Sequence, residues 1–232
     1  MKLINEFYHG DCRDVLRRVP NESVDFILTD PPYVVNYRSR DGRSIRGDTT
    51  TEWIAPAFRA MSRVLKPDRF CVSFYGWSRV DAFFRAWLLA GLRPVGHLVF
   101  IKRYDSENTR HILRYRHEQA YLLVKGKPQP ANFPLKDVLP FEYTHNRHHP
   151  NEKPLQPLRT LIGAFTQPGE LVLDPCAGSG STLLAAWQME RNYLGVELDP
   201  EYYEIARRRL AVEMAKDQRG IVEWSREVAA VA

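Results

Sequence analysis

The 232-residue chain is 44% hydrophobic, 12% aromatic and 26% charged, a mixture that supports a buried core and excludes wholesale disorder. It has no apolar run near the ~20 residues of a membrane span, its Met1–Glu6 start turns polar too soon for a signal peptide, and Cys12, Cys71 and Cys176 are too few and too scattered for a disulfide framework or a structural zinc site. A net charge of +5 admits a polyanionic partner without establishing one.

Short apolar runs alternate with amphipathic stretches along the chain. Glu6–His9 is a weak strand candidate, and Val24–Thr29 reads as a buried strand. Ile54, Ala57, Phe58, Met61 and Leu65 then share one helical face, which Lys66-Pro67 stops. A strand over Phe70–Tyr75 follows. The next helix carries Val80, Phe83, Phe84, Trp87 and Leu88, with Ser78 placed to cap it and Gly91 to end it. Val95–Ile101 and Ala120–Val124 are strands, and Pro154 begins a helix through Leu155, Leu158, Ile162 and Phe165. Strands at Leu171–Leu173 and Tyr193–Val196 precede a last helix that starts at Asp199-Pro200. That helix turns Tyr202, Ile205, Ala206, Leu210 and Met214 inward and Arg207, Arg208 and Arg209 mostly outward. The pattern predicts one α/β domain over residues 1–232, with a mostly parallel sheet and helices on both faces. Two polar, arginine-rich segments, 34–50 and 102–150, stand apart as long insertions.

Asp174-Pro175-Cys176-Ala177-Gly178-Ser179-Gly180-Ser181-Thr182 joins a strand to a helix through a glycine turn, which lets backbone N–H groups approach a ligand. No lysine follows Gly180, so the turn is not a phosphate loop. Leu183 stands where a dinucleotide fingerprint needs its third glycine. A ligand without phosphates remains. Glu197, at the end of the next strand, is placed to accept the hydroxyls of a ribose, and with Asp174 it makes S-adenosylmethionine the leading ligand.

Asp30-Pro31-Pro32-Tyr33 directly follows the Val24–Thr29 strand as a stiff turn rich in acceptors. Here the chain resembles the S-adenosylmethionine-dependent DNA amino-methyltransferases, which methylate adenine N6 or cytosine N4. Their catalytic motif is Asp/Asn/Ser-Pro-Pro-aromatic. Their cofactor motif is similar to Asp174–Gly180, and their His-Pro-x-x-Lys-Pro motif is similar to His149–Pro154. The early acid of the family is similar to Asp11 in Gly10-Asp11-Cys12. The order of these motifs is that of the β class, which implies a circularly permuted Rossmann-like class I methyltransferase fold.

The resemblance implies catalytic roles for Asp30, Pro31, Pro32 and Tyr33. It implies a cofactor site of Asp11, Cys12, Asp30, Lys153, Asp174, Pro175, Cys176, Ala177, Gly178, Ser179, Gly180, Thr182, Glu197 and Leu198. Cys176 is a departure, since the family commonly has phenylalanine there. Its Pro-Cys context is similar to the nucleophile of C5-cytosine methyltransferases, but that cysteine lies far from the glycine turn. Beside a base-flipping motif, the basic segments read as DNA contacts: Arg38, Arg40, Arg43 and Arg46 in the first, and Arg110, Arg114 and Arg116 in the second. Residues 102–127 hold seven basic residues, Lys102 and Lys125 among them, against three acids. The histidines of Thr144–His149 lack an acid or cysteine at ligand spacing, so no metal is expected.

The expected activity is adenine-N6 methylation of DNA in the cytoplasm, at a short or relaxed site, because few segments remain to read bases. The same scaffold serves cytosine N4. A non-catalytic DNA-binding relative, or an enzyme acting on RNA or on protein amides, fits Asp30 and the glycine turn less well. The family context also admits a homodimer and a cognate restriction endonuclease as partners.

Overall fold

The computed structural model describes residues 1–37, 45–103, 113–143 and 152–231, with side chains described as far as residue 216. The chain runs β1 (Glu6–His9), α1 (Cys12–Leu16), β2 (Phe26–Thr29), α2 (Ile54–Val64), β3 (Arg69–Phe74), α3 (Val80–Leu89), β4 (Arg93–Lys102) and β5 (His117–Lys125). It continues through β6 (Val138–Phe141), α4 (Leu155–Phe165), β7 (Leu171–Asp174), α5 (Ser181–Gln188), β8 (Asn192–Glu197) and α6 (Pro200–Val231). Among the described residues, no helix is long and apolar enough to cross a membrane.

The eight strands form one sheet in the order β1-β8-β7-β2-β3-β5-β4-β6. Every pairing is parallel except those of β5, which runs against both β3 and β4. Successive residues of β2 show why the sheet is covered on both sides. Phe26 and Leu28 enter a core with α4 and α5, while Ile27 enters the opposite core with α2 and α3, as the two-residue repeat of a strand requires. The first core stacks Phe26 and Phe70 on Phe165. The second groups Phe58, Phe83 and Trp87, all fully buried.

The helix signals hold with two corrections. Gly91 ends α3 at φ +74°, and the Leu92 N–H reaches back to the Trp87 carbonyl at 2.9 Å. Ser78 does not cap that helix; it lies in a short 3-10 turn (Trp77–Arg79), and Arg79 occupies the cap position without a side-chain capping bond. Asp199 does cap α6, accepting from the Glu201 N–H at 2.9 Å. Arg209 is the second correction: the expected outward side chain is buried, for reasons given below. The 102–150 segment is also more than an insertion. Besides β5 it holds β6, an edge strand paired to β4 that its Pro140 hides from a strand reading.

Candidate active site

The sheet order sets the site. β1, β8, β7 and β2 are neighbours and all parallel, so the turns leaving their carboxyl ends gather in one place, where open α/β sheets bind ligands. Those turns carry Gly10-Asp11-Cys12, Glu197-Leu198-Asp199, Asp174–Gly180 and Asp30–Tyr33. They line a cleft of about 460 Å³, whose further wall comes from Val35, Tyr37 and residues 45–53. Arg46 of that wall pairs with Asp199 at 3.1 Å across the mouth.

The glycine turn is held from two sides. Gly180 sits at φ +78°, a conformation that favours glycine, and its open side faces Ala206 and Leu210 of α6, 3.4 and 3.5 Å from where a Cβ would stand. Gly180 thus stands behind the cleft; Ala177, Gly178, Ser179, Ser181 and Thr182 line it. Arg209 clamps the same turn. Its guanidinium pairs with Glu152 at 2.8 Å, both side chains less than a tenth exposed, and donates to the Ser179 carbonyl and the Ser181 hydroxyl. Helical periodicity assigned Arg209 to solvent. The loops around α6 bury it instead, and such a buried pair typically costs ~3–5 kcal/mol when one partner is removed.

Glu197 closes the opposite wall. Gly178 N–H donates to its Oε2 and Asp199 N–H to its Oε1, each at 2.7 Å. Burial pushes its carboxyl above the ordinary range, against those backbone bonds. Asp11 caps α1 by accepting from Arg13 N–H at 2.8 Å, and it also pairs with the Arg13 guanidinium at 2.6 Å. That side-chain bond holds the Asp11 carboxyl below its usual range. The neighbouring Cys12 thiol, with burial, lifts the Cys176 thiol well above the ordinary value, the reverse of what a nucleophile needs.

Burial pushes Asp174 up to about 7, outweighing the hydrogen bonds from Thr182 and the Cys176 N–H. A folded-state value raised from 3.8 gives full stability below the unfolded value, which is lost as pH rises towards 7. The cofactor-free Asp174→Asn variant is therefore expected to match the parent's melting temperature near pH 4 and to exceed it increasingly up to pH 7. Parallel pH dependences in thermal melts of the two proteins would refute this.

The Asp30 turn meets a charge network. Tyr33 donates to Asp30 Oδ1 at 2.7 Å, and Lys153 Nζ lies 2.7 Å from Asp30 Oδ2. Burial raises the Asp30 carboxyl while Lys153 pulls it down, and Asp30 and Glu118 keep Lys153 charged against its own burial. The Lys153 ammonium also lies 4.9 Å from the Phe74 ring centre. Gly76, which no motif flagged, makes room for the turn: a Cβ there would stand 2.8 Å from Tyr33 Cβ.

Glu118 and Lys102 were also missed. Because β5 is antiparallel, it begins where its neighbours end, which brings Glu118 to the site. Lys102 pairs with Glu118 at 2.5 Å and so is no free DNA contact. Nor is Lys125, whose ammonium donates to the carbonyls of Ser62 and Leu65. Arg114 and Arg116 are exposed. Arg38, Arg40, Arg43, Arg110 and the histidines of 144–149 lie outside the described residues.

The carboxyl-end cleft, with a glycine turn after one parallel strand and an acid after the next, defines a class I S-adenosylmethionine-dependent methyltransferase. The N6/N4 DNA methylase family profile matches residues 24–145 and 133–208. The chain is 52% identical to YubD of Escherichia coli (strain K12) over 217 residues, 94% of this chain and 95% of that protein. It is 28% identical over 254 residues to YhdJ, a DNA adenine methyltransferase of the same organism, covering 88% of this chain and 82% of YhdJ. The solved complex of M1.HpyAVI with S-adenosylmethionine aligns at a TM-score of 0.68 and 26% identity, covering 88% and 98% of the two chains. The chain belongs to the N6/N4 DNA methylase family: it is a DNA methyltransferase that uses S-adenosylmethionine. The cleft fits that cofactor, offering a buried carboxylate, backbone at a glycine turn and apolar walls, with no lysine on the turn for phosphate.

Proposed function

We propose that the chain methylates adenine N6 in DNA, with Asp30 as the residue that receives the target amine. The observation that carries this reading is the partly buried Asp30 carboxylate, fixed by Lys153 and Tyr33 and lining the same cleft as the glycine turn and Glu197. Aspartate, rather than serine, in the first position of the Asp-Pro-Pro-Tyr turn tilts the reading to adenine.

The bound cofactor supplies an electrophilic methyl group on a sulfonium. Glu197 would hold the ribose hydroxyls, the Asp174–Thr182 turn the methionine part and Asp11 the adenine. Asp30 and the Pro31 carbonyl accept the two hydrogens of the target amine. That favours a pyramidal nitrogen with its lone pair out of the ring, ready to attack in line. The contribution is positional and electrostatic, and the amine needs no prior deprotonation. The target base leaves the duplex, and the Tyr33 ring receives it by stacking. Unstacking costs a few kcal/mol, which the aromatic contact partly offsets.

Long-read sequencing of DNA from cells expressing the chain tests the reading. N6-methyladenine in a short sequence context is expected, and it should be absent with Asp30→Ala. N4-methylcytosine would overturn the choice of base, and no modified base would overturn the activity. Exposed Arg114 and Arg116 are assigned to phosphate contacts. Replacing each with alanine is expected to weaken DNA binding and to lower the slope of log affinity against log salt by about 0.9. Fluorescence anisotropy across a salt series checks this, and an unchanged slope would place these arginines away from DNA.

A further inference from the structure

Glu118 has no role in the scheme above, yet it is the centre of the charge network behind Asp30. Its Oε1 is committed to Lys102 at 2.5 Å. Its Oε2 lies 3.4 Å from both the Lys153 ammonium and the Tyr33 hydroxyl. The four charged groups of the network, Asp30, Glu118, Lys102 and Lys153, balance to zero. Lys102, Glu118 and Lys153 are each at most a fifth exposed in their side chains, so removing one charge leaves another poorly compensated.

A target amine that approaches Asp30 finds each carboxylate oxygen already accepting a hydrogen bond, Oδ2 from Lys153 and Oδ1 from Tyr33, and competes with those donors for position. The ammonium cannot leave without exposing Asp30 and Glu118 to each other's charge. The phenol is neutral and can turn, and the acceptor beside it is Glu118 Oε2.

We propose that Glu118 is a positioning residue for methyl transfer: it holds Lys153 on Asp30 Oδ2 and accepts the Tyr33 hydroxyl when the target amine displaces it from Oδ1. This rests on the reading of Asp30 as the receiver of the amine. No covalent bond changes in the exchange: Tyr33 keeps its proton and swaps one acceptor for another. Lys102 fixes the unused oxygen of Glu118, so that Oε2 is the one presented.

The test measures transfer of tritiated methyl from S-adenosylmethionine to unmethylated genomic DNA by the parent, Glu118→Gln, Tyr33→Phe, the double variant and Asp30→Ala. Cofactor affinity is read by calorimetry on the same proteins. Glu118→Gln is expected to lower kcat about 10- to 100-fold, the scale of an ångström-size misplacement, with cofactor Kd and the KM for DNA little changed. In the Tyr33→Phe background the Glu118→Gln loss should be smaller, because no hydroxyl remains to be received. A kcat within twofold of the parent, or a loss that falls on cofactor affinity instead, would overturn the proposal. An equal loss in both backgrounds would overturn the exchange with Tyr33. If Asp30→Ala itself stays active, the underlying reading fails; if it is inactive while Glu118→Gln is normal, only the role of Glu118 fails.

Discussion

Asp30→Ala is expected to abolish methyl transfer, with kcat lowered by at least roughly 10²–10³-fold, the usual cost of a preorganised electrostatic partner of a transition state. S-adenosylmethionine affinity should largely survive. The separation follows from the architecture, because the Asp30 turn leaves β2 while the glycine turn and Glu197 leave β7 and β8. The variant also frees Lys153 and Tyr33 from their 2.7 Å partners. Lys153 retains Glu118 at 3.4 Å, so the network keeps one of its two bonds to that lysine. Initial-rate kinetics with calorimetric cofactor titration checks the split. Near-parental turnover would show that another group receives the amine.

The second large effect is expected at Glu197. Replacement by alanine should weaken S-adenosylmethionine binding by at least ~1.5–3 kcal/mol, the range for hydrogen bonds to a charged group. The structure adds to what the ribose contacts alone would cost. Both Glu197 oxygens accept backbone N–H groups, from Gly178 and from Asp199. Alanine leaves those donors without their acceptor and loosens the glycine turn. Glu197→Gln keeps an acceptor oxygen for one of them and should lose less. Calorimetry on both variants decides the matter, and unchanged affinity in the alanine variant would assign the cofactor to another acid.

The motif residues illustrate how the site could be read in advance. Asp30–Tyr33, Asp174–Thr182 and Glu197 are each contiguous with the strand that delivers them, so local order was enough to place them at carboxyl ends. Lys153 was legible only as part of a motif, and its second partner, Glu118, was not. The Lys153–Glu118 contact spans β5 and the segment before α4, and nothing in either segment names the other. Glu118 was counted among the acids of a basic loop because the direction of β5 is invisible in sequence. Arg209 was assigned to solvent for a similar reason: periodicity assumes that only one face of a helix is covered, and Glu152 with the Ser179 turn covers a second.

The sequence by itself determined the α/β class, most strands and helices, the two turns that meet at the candidate site and the cofactor type. These rest on periodicity and on short motifs whose chemistry is local. Tertiary structure alone decided the antiparallel course of β5, the edge strand β6, the clamp at Arg209 and the Lys102–Glu118–Lys153–Asp30 network. The physical reason is that a buried charge is stable only with partners, and those partners come from strands, turns and helices that become neighbours only when the fold assembles.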